Sequence, residues 1–206
     1  MDILEKVFGS AVKVRLMRLF MFNPNAAYDI KDIVSRTNTN SRAVKNELLN
    51  LKKIGLIKSK SYVGEVVQKR GKKSVVLKKK FSGWTLDTRF QYLKPLQDFL
   101  VYMNPFRHTE LVDKLRKVGN IKFLAISGVF IQEWESRVDL FIVGNNIKKG
   151  TLENVIHSLE SELGKELKYA ALETEDFQYR MNMCDKLVSD VLDYPHEKVV
   201  NKLGIE

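Results

Sequence analysis

The chain has 206 residues, 44% of them hydrophobic and 29% charged, and carries a formal net charge of +10 at pH 7. That length is enough for one large core or two small ones. No run approaches the ~18 apolar residues of a membrane-spanning helix, the opening MDILEKVFGS lacks the apolar segment of a signal peptide, and a soluble, cytoplasmic protein is expected. A single cysteine, Cys184, excludes an internal disulfide, and His108, His157 and His196 stand too far apart in sequence for a zinc site. No metal and no other cofactor is therefore expected.

The distribution of charge is more informative than its total. Residues 1–83 hold 19 Lys and Arg against 6 Asp and Glu, while residues 84–206 hold 16 against 19. All the surplus positive charge lies in the first part, which argues for two functional parts, one of them meeting a polyanion.

In chain order, AVKVRLMRLFMFNP places Val12, Leu16, Leu19 and Phe20 at helical spacing and ends near Pro24. YDIKDIVSRTN offers Asp29 as an N-cap and Ile30, Ile33 and Val34 as an apolar stripe. NTNS then signals a turn and a cap, and in SRAVKNELLNLKKIGLI the residues Val44, Leu48 and Leu51 keep helical spacing up to Gly55, which suits the position after a helix end. Beyond it LIKSKSYVGEVVQKRGKKSVVLKKK reads as two strands around KRGKK, with Gly71 at a hairpin tip.

Three helices followed by a basic hairpin, together with SRAVKNELLNLKKIGLIKS, resemble the winged helix-turn-helix transcription regulators over residues 8–82. In that family a small polar residue opens the recognition helix, apolar residues at the spacing of Val44, Leu48 and Leu51 face the core, and a Gly-Leu pair, here Gly55 and Leu56, leads into the wing. With those three residues inward, the outward or leading face carries Ser41, Arg42, Lys45, Asn46 and Leu49, and Ser, Arg, Lys and Asn are residue types that read major-groove edges. Asn40, Ser41 and Arg42 are the candidate base readers, because such helices present their amino-terminal residues to the bases. Lys45 and Asn46 come next. Leu49 stands either against a thymine methyl or against the wing. Lys69, Arg70, Lys72 and Lys73 are candidates for phosphate or minor-groove contacts. The partner expected is double-stranded DNA; RNA is disfavoured, since no aromatic stacking platform marks the basic half.

TRFQYLKPLQDFLVYM aligns Phe90, Leu93, Leu96, Phe99, Leu100 and Met103 along one stripe, with Pro95 either in the first turn of a helix beginning near Lys94 or kinking a longer one. The segment is either a docked linker helix or a dimer contact, and a homodimer is expected because paired sites raise affinity through effective concentration.

From Leu111 the order is helix, strand, strand, helix, strand, helices. ISGVFIQEWESRVDLFIVG, followed by LENVIHSLESELGKE and a further strand, resembles the minimal nucleotidyltransferase domain of the DNA polymerase β-like superfamily over residues 106–203. The resemblance implies a vestigial nucleotide site at Ser127, Gly128, Arg137 and Asp139. It departs from the family where chemistry needs it. Val129 follows Gly128 where a serine is expected, Arg137 occupies the first carboxylate position, and LKYAAL supplies no third acid. Nucleotidyl transfer needs a Mg²⁺ held by more than one carboxylate, and Arg137 beside Asp139 is expected to form an ion pair instead.

The fold class expected is α+β: an amino-terminal winged helix-turn-helix, three helices plus a β-hairpin wing, over residues 1–83; a linker or dimerisation helix over 84–105; and a small nucleotidyltransferase-like α/β domain over 106–206 lacking the full carboxylate set. The function expected is sequence-specific, dimeric DNA-binding transcriptional regulation without catalysis. The alternatives are an active nucleotidyltransferase drawing carboxylates from Glu133, Glu135 or Glu166, and an adaptor using both domains for protein contacts. Nothing in the sequence selects a small-molecule or nucleotide effector. Cys184 is expected to be half-buried in a core.

Overall fold

A computed structural model of the chain describes residues 3–70, 73–102 and 106–205; of strand residues 64–70, 73–77 and 79 the backbone alone is described. The chain is α+β and divides into two compact units, one of Met1–Val101 with Ser161–Lys165, the other of Tyr102–Glu160 with Glu166–Glu206. Among the described residues no helix is long and apolar enough to cross a membrane.

The first unit begins with α1 (Ile3–Phe8), α2 (Ala11–Phe22), α3 (Ile30–Thr37) and α4 (Ser41–Lys53). Ser10 caps α2, its side chain accepting from the Lys13 amide. Helix α2 is more central than its amphipathic pattern implies. Besides Leu16, Leu19 and Phe20, it buries Val14, Met17, Met21 and even Arg18, whose Nε donates to the Leu100 carbonyl at 3.1 Å. A helix apolar nearly all round is one that others pack against. Asp29 caps α3 as expected, accepting from the Asp32 amide at 2.8 Å. The α3–α4 turn is short because Asn38 takes the left-handed conformation (φ 48°), which asparagine tolerates better than most residues.

The strands β1 (Ile57–Arg70) and β2 (Lys73–Leu86) form a two-stranded antiparallel ribbon, in register from Ile57↔Leu86 to Arg70↔Lys73. Fourteen residues per strand make it about 46 Å long at ~3.3 Å per residue. At its base Tyr28, between α2 and α3, adds an antiparallel bridge to Trp84 through N–H···O bonds of 3.0 and 2.9 Å. Gly83 permits this approach, since a Cβ there would lie 2.4 Å from the Tyr28 carbonyl oxygen.

Helix α5 (Leu93–Leu100) has Pro95 in its first turn, where the missing N–H costs nothing. Phe90, Leu93, Leu96 and Leu100 pack on the first core, so the unit extends to Val101 and takes in most of the segment read from sequence as a linker. Phe99 departs from that stripe and is 41% exposed, its ring 6.4 Å from that of Phe8, and Tyr92, just before the helix, is also exposed. Met103 lies outside the described residues.

The second unit holds α6 (His108–Leu115), β3 (Asn120–Ile126), β4 (Leu140–Asn145), α7 (Lys149–Leu163) up to Glu160, β5 (Tyr169–Glu173), α8 (Thr174–Asn182), α9 (Lys186–Asp193) and β6 (Glu197–Asn201). The sheet order is β5-β4-β3-β6. Strand β4 runs parallel to β5, joined by α7, and β3 is antiparallel to both β4 and β6. The two central strands, β3 and β4, are buried on both faces, whereas the edge strands β5 and β6 are half-buried to exposed. Phe123, Ala125, Phe141 and Val143 pack with Phe177, Val188 and Val191 of α8 and α9, and the alternate residues Leu124, Ile126, Leu140 and Ile142 are equally buried. Cys184 is exposed rather than half-buried, in the positive-φ turn (φ 51°) between α8 and α9.

Candidate nucleic-acid interface

Helix α4 is defined at both ends by side-chain and backbone chemistry. At its start the Asn40 Oδ1 accepts from the Ala43 amide at 2.8 Å. At its end Gly55 takes φ +83°, the Gly55 amide bonds to the Lys52 carbonyl at 3.0 Å, and the Leu56 amide bonds to the Leu51 carbonyl at 3.0 Å. These are the paired bonds of a Schellman termination, which needs a left-handed residue after the helix and hence glycine. Leu51 and Leu56 are both buried, completing the apolar contact that accompanies it.

Val44, Leu48 and Leu51 are buried to 1% exposure or less, so the opposite face of α4 is set. Asn40, Ser41, Arg42, Lys45 and Asn46 are all exposed, along the leading end and outward side of the helix. Asn40 has a second duty that restricts it. Its carboxamide oxygen is the cap, so a bidentate contact to adenine from Asn40 has to share that oxygen with the Ala43 amide. Leu49 does not pack on the hairpin: it is 61% exposed.

Lys69, Arg70 and Lys73 belong to the ribbon but their side chains lie outside the described residues, as does Lys72 altogether. The register brings forward cations not singled out from sequence. Lys52 of α4 donates to the Ser59 hydroxyl at 3.3 Å and stands 5.5 Å from the Trp84 ring centroid. Ser59 and Trp84 are opposite one another in the ladder. Strand alternation puts Lys80 and Lys78 on the face of Trp84, and both are exposed. The ribbon face met by α4 thus continues outward with Lys80 and Lys78, which stand opposite Val63 and Glu65 of β1 in the ladder. Strand periodicity lies in the sequence, but which parity faces α4 is set only by the register.

At the root of the hairpin Asp87 binds three donors through one oxygen: the Arg89 amide at 3.2 Å, Lys58 Nζ at 3.2 Å and Arg89 Nε at 3.4 Å. The amide bond first, then the two cations, hold its carboxyl below the usual carboxylate range. Tyr62 stacks on Phe81 with centroids 5.7 Å apart, and burial first, then Asp32 and Asp29, push its hydroxyl upward.

In the second unit the four residues read as a vestigial nucleotide site separate into two groups. Asp139 precedes β4, is 5% exposed, and spends both carboxylate oxygens on backbone amides, Oδ1 on Val129 and Oδ2 on Lys168, each at 2.8 Å. Its own amide donates to the Lys168 carbonyl at 2.6 Å, and its carbonyl accepts from the Ser127 amide at 2.9 Å. Gly128 packs directly against this carboxylate. Arg137 does not pair with Asp139, contrary to the sequence expectation. It is exposed and pairs with Asp190 of α9. The regular strand begins only at Leu140, so positions 137 and 139 are not held to one face. Ser127 Oγ is taken up by the Ser136 hydroxyl at 2.8 Å and donates to the Pro195 carbonyl at 2.6 Å.

Arg137 and Asp190 line an open cleft of about 600 Å³ with Lys168, Glu133, Glu135 and Tyr194. Among the described residues no group of three or more His, Cys, Asp or Glu side chains stands close enough to hold a metal ion. Comparisons of the chain with protein-family models, with curated proteins and with solved structures returned no match.

Proposed function

We propose that the chain is a sequence-specific, double-stranded-DNA-binding transcriptional regulator. In this reading its amino-terminal unit is a winged helix with α4 as the recognition helix and the β1–β2 ribbon as the wing. The observation that carries the reading is the outward face of α4. Ser41, Arg42, Lys45 and Asn46 are exposed together on a helix whose other side is closed by Val44, Leu48 and Leu51. The surplus positive charge of residues 1–83, the exposed lysines Lys80 and Lys78 on the ribbon face that meets Lys52, and the single Tyr28–Trp84 bridge that ties the base of the hairpin to the segment between α2 and α3 all support it.

The second unit is read as a non-catalytic nucleotidyltransferase-like domain. Its support is the order β3, a 3₁₀ turn at Gly128–Phe130, β4, α7 and the parallel strand β5, and an Asp139 whose oxygens are both engaged by backbone amides. Homodimerisation is part of the proposal, supported by the exposure of Tyr92, just before α5, and of Phe99 on it.

Selection from a random duplex library, followed by fluorescence anisotropy on the enriched sequence across a salt series, tests the function. The expected result is one enriched site, palindromic for a dimer, with affinity falling steeply as salt rises. Absence of any enriched sequence, with only weak salt-driven binding, would overturn it, and a nucleotide-transfer assay on the full chain would then take precedence.

A further inference from the structure

We propose that Leu49 reads the C5-methyl group of a thymine in the major groove, making it the specificity-determining apolar contact of α4. This inference rests on the reading of α4 as a recognition helix.

Leu49 is 61% exposed in the middle of a regular helix, on the side away from Val44, Leu48 and Leu51. At about 100° per residue, Lys45, Leu49, Arg42, Lys53 and Asn46 follow one another around the helix within an arc of roughly 100°, with Lys45 on one side of the leucine and Arg42 on the other. The leucine is therefore inside the polar stripe rather than at its edge. Packing on the wing, the structural use open to a leucine here, does not occur at that exposure. The neighbouring residues are a guanidinium, a carboxamide and an ammonium, so an extended apolar docking surface is not what surrounds it. A lone apolar side chain among groups that read base edges and phosphates has one natural counterpart in duplex DNA. Thymine alone among the four bases presents a methyl in the major groove, and apolar side chains recognise it by contact.

The spacing fits. Arg42 and Leu49 are seven residues apart, about 10 Å along the helix, the length of roughly three base-pair steps at ~3.4 Å each. A guanine read by Arg42 and a thymine read by Leu49 are thus expected two to four pairs apart in one half-site.

The test uses the full chain and the enriched duplex from the selection above, with each thymine replaced in turn by deoxyuridine. This removes the methyl and leaves pairing intact. For the natural chain, one thymine per half-site is expected to lose affinity about fourfold on replacement, the worth of one buried methylene-sized group. Leu49→Ala is expected to bind the thymine and deoxyuridine duplexes equally at that position, with unchanged thermal unfolding because the side chain is exposed. Three outcomes overturn the inference. If the natural chain binds its site specifically but tolerates deoxyuridine everywhere, Leu49 reads no methyl while DNA recognition stands. If Leu49→Ala retains the natural chain's sensitivity, another residue reads the methyl. If no specific site exists at all, the inference falls together with the proposed function.

Discussion

Gly128 and Asp139 are fitted to one another: Gly128 takes φ +56°, and a Cβ on it would stand 2.0 Å from the Asp139 Oδ1. The carboxylate occupies the space a side chain would need and ties the turn after β3 to the start of β5 through the Val129 and Lys168 amides. A residue that reads in sequence as the remnant of a metal-binding pair serves here as a backbone clasp.

Breaking the clasp from either side is therefore expected to destabilise the second unit. Gly128→Ala is expected to cost at least ~2 kcal/mol, from the left-handed backbone and the clash together. Asp139→Asn is expected to cost about 1–3 kcal/mol, because its amide must turn a donor toward one of two buried amide donors. Urea unfolding followed by Trp134 fluorescence in a Trp84→Phe background measures both. An Asp139→Asn variant as stable as the parent would refute the clasp.

A double-mutant cycle separates the two partners offered to Arg137. Arg137 and Asp190 are expected to couple by ~0.2–1 kcal/mol, the range of partly exposed ion pairs. Arg137 and Asp139 are expected to show no coupling beyond error. Coupling confined to the 137–139 pair would contradict the geometry.

Asn40→Ala is expected to lower the stability of the first unit by about 1 kcal/mol through loss of the α4 cap, and Asn40→Ser to restore most of it. If DNA affinity follows stability across this pair, Asn40 acts as a cap. If Asn40→Ser folds like the parent yet loses base preference, Asn40 reads bases directly.

On the DNA, Arg42→Ala is expected to relax base preference at one position of each half-site, costing ~1–3 kcal/mol there. Lys78→Ala is expected to weaken binding uniformly across sequences and to reduce the magnitude of the salt slope by about one per site. Anisotropy titrations on the enriched site and on point variants of it, each at several salt concentrations, distinguish these two patterns.

The hairpin root has a pH signature. Asp87 is held below its usual value by the Arg89 amide, Lys58 and Arg89, so its ionised form favours the folded state. The unfolded chain takes up the proton first as pH falls. Its contribution is thus fully present above the ordinary carboxyl value of about 3.9 and is lost as pH falls through the lower folded value. Asp87→Asn is expected to be less stable than the parent at neutral pH, with the difference shrinking toward pH 3. Thermal melts from pH 7 to pH 3 read this directly, and a difference that grows on acidification would reverse the sign.

Much of the chain was determined by local chemistry that the sequence displays by itself. Asp29 and Asn40 sit before helical periods and cap them. Val44, Leu48 and Leu51 recur at helical spacing and are buried. Gly55 follows the last of them and terminates α4. Pro95 falls in a first turn. The strands and the long helix of the second unit follow the same rule, because periodicity within one element needs no knowledge of any other. What only the tertiary structure decided concerns pairs of elements. Strand β6 was not foreseen, since EKVVN carries too few residues to show a period and exists by pairing with β3. The parity that turns Lys78 and Lys80 to the α4 side comes from a register fourteen pairs long. Asp139 and Arg137, two residues apart in sequence, part company because one is captured by the amides of Val129 and Lys168 while the other reaches Asp190, 53 residues away. Leu49 lies on the outward side by its helical phase alone, but only the packed unit shows that it stays 61% exposed. Short-range periodicity and capping are encoded residue by residue; partner choice between distant groups is decided by which backbone amides and carboxylates the folded chain brings within hydrogen-bonding distance.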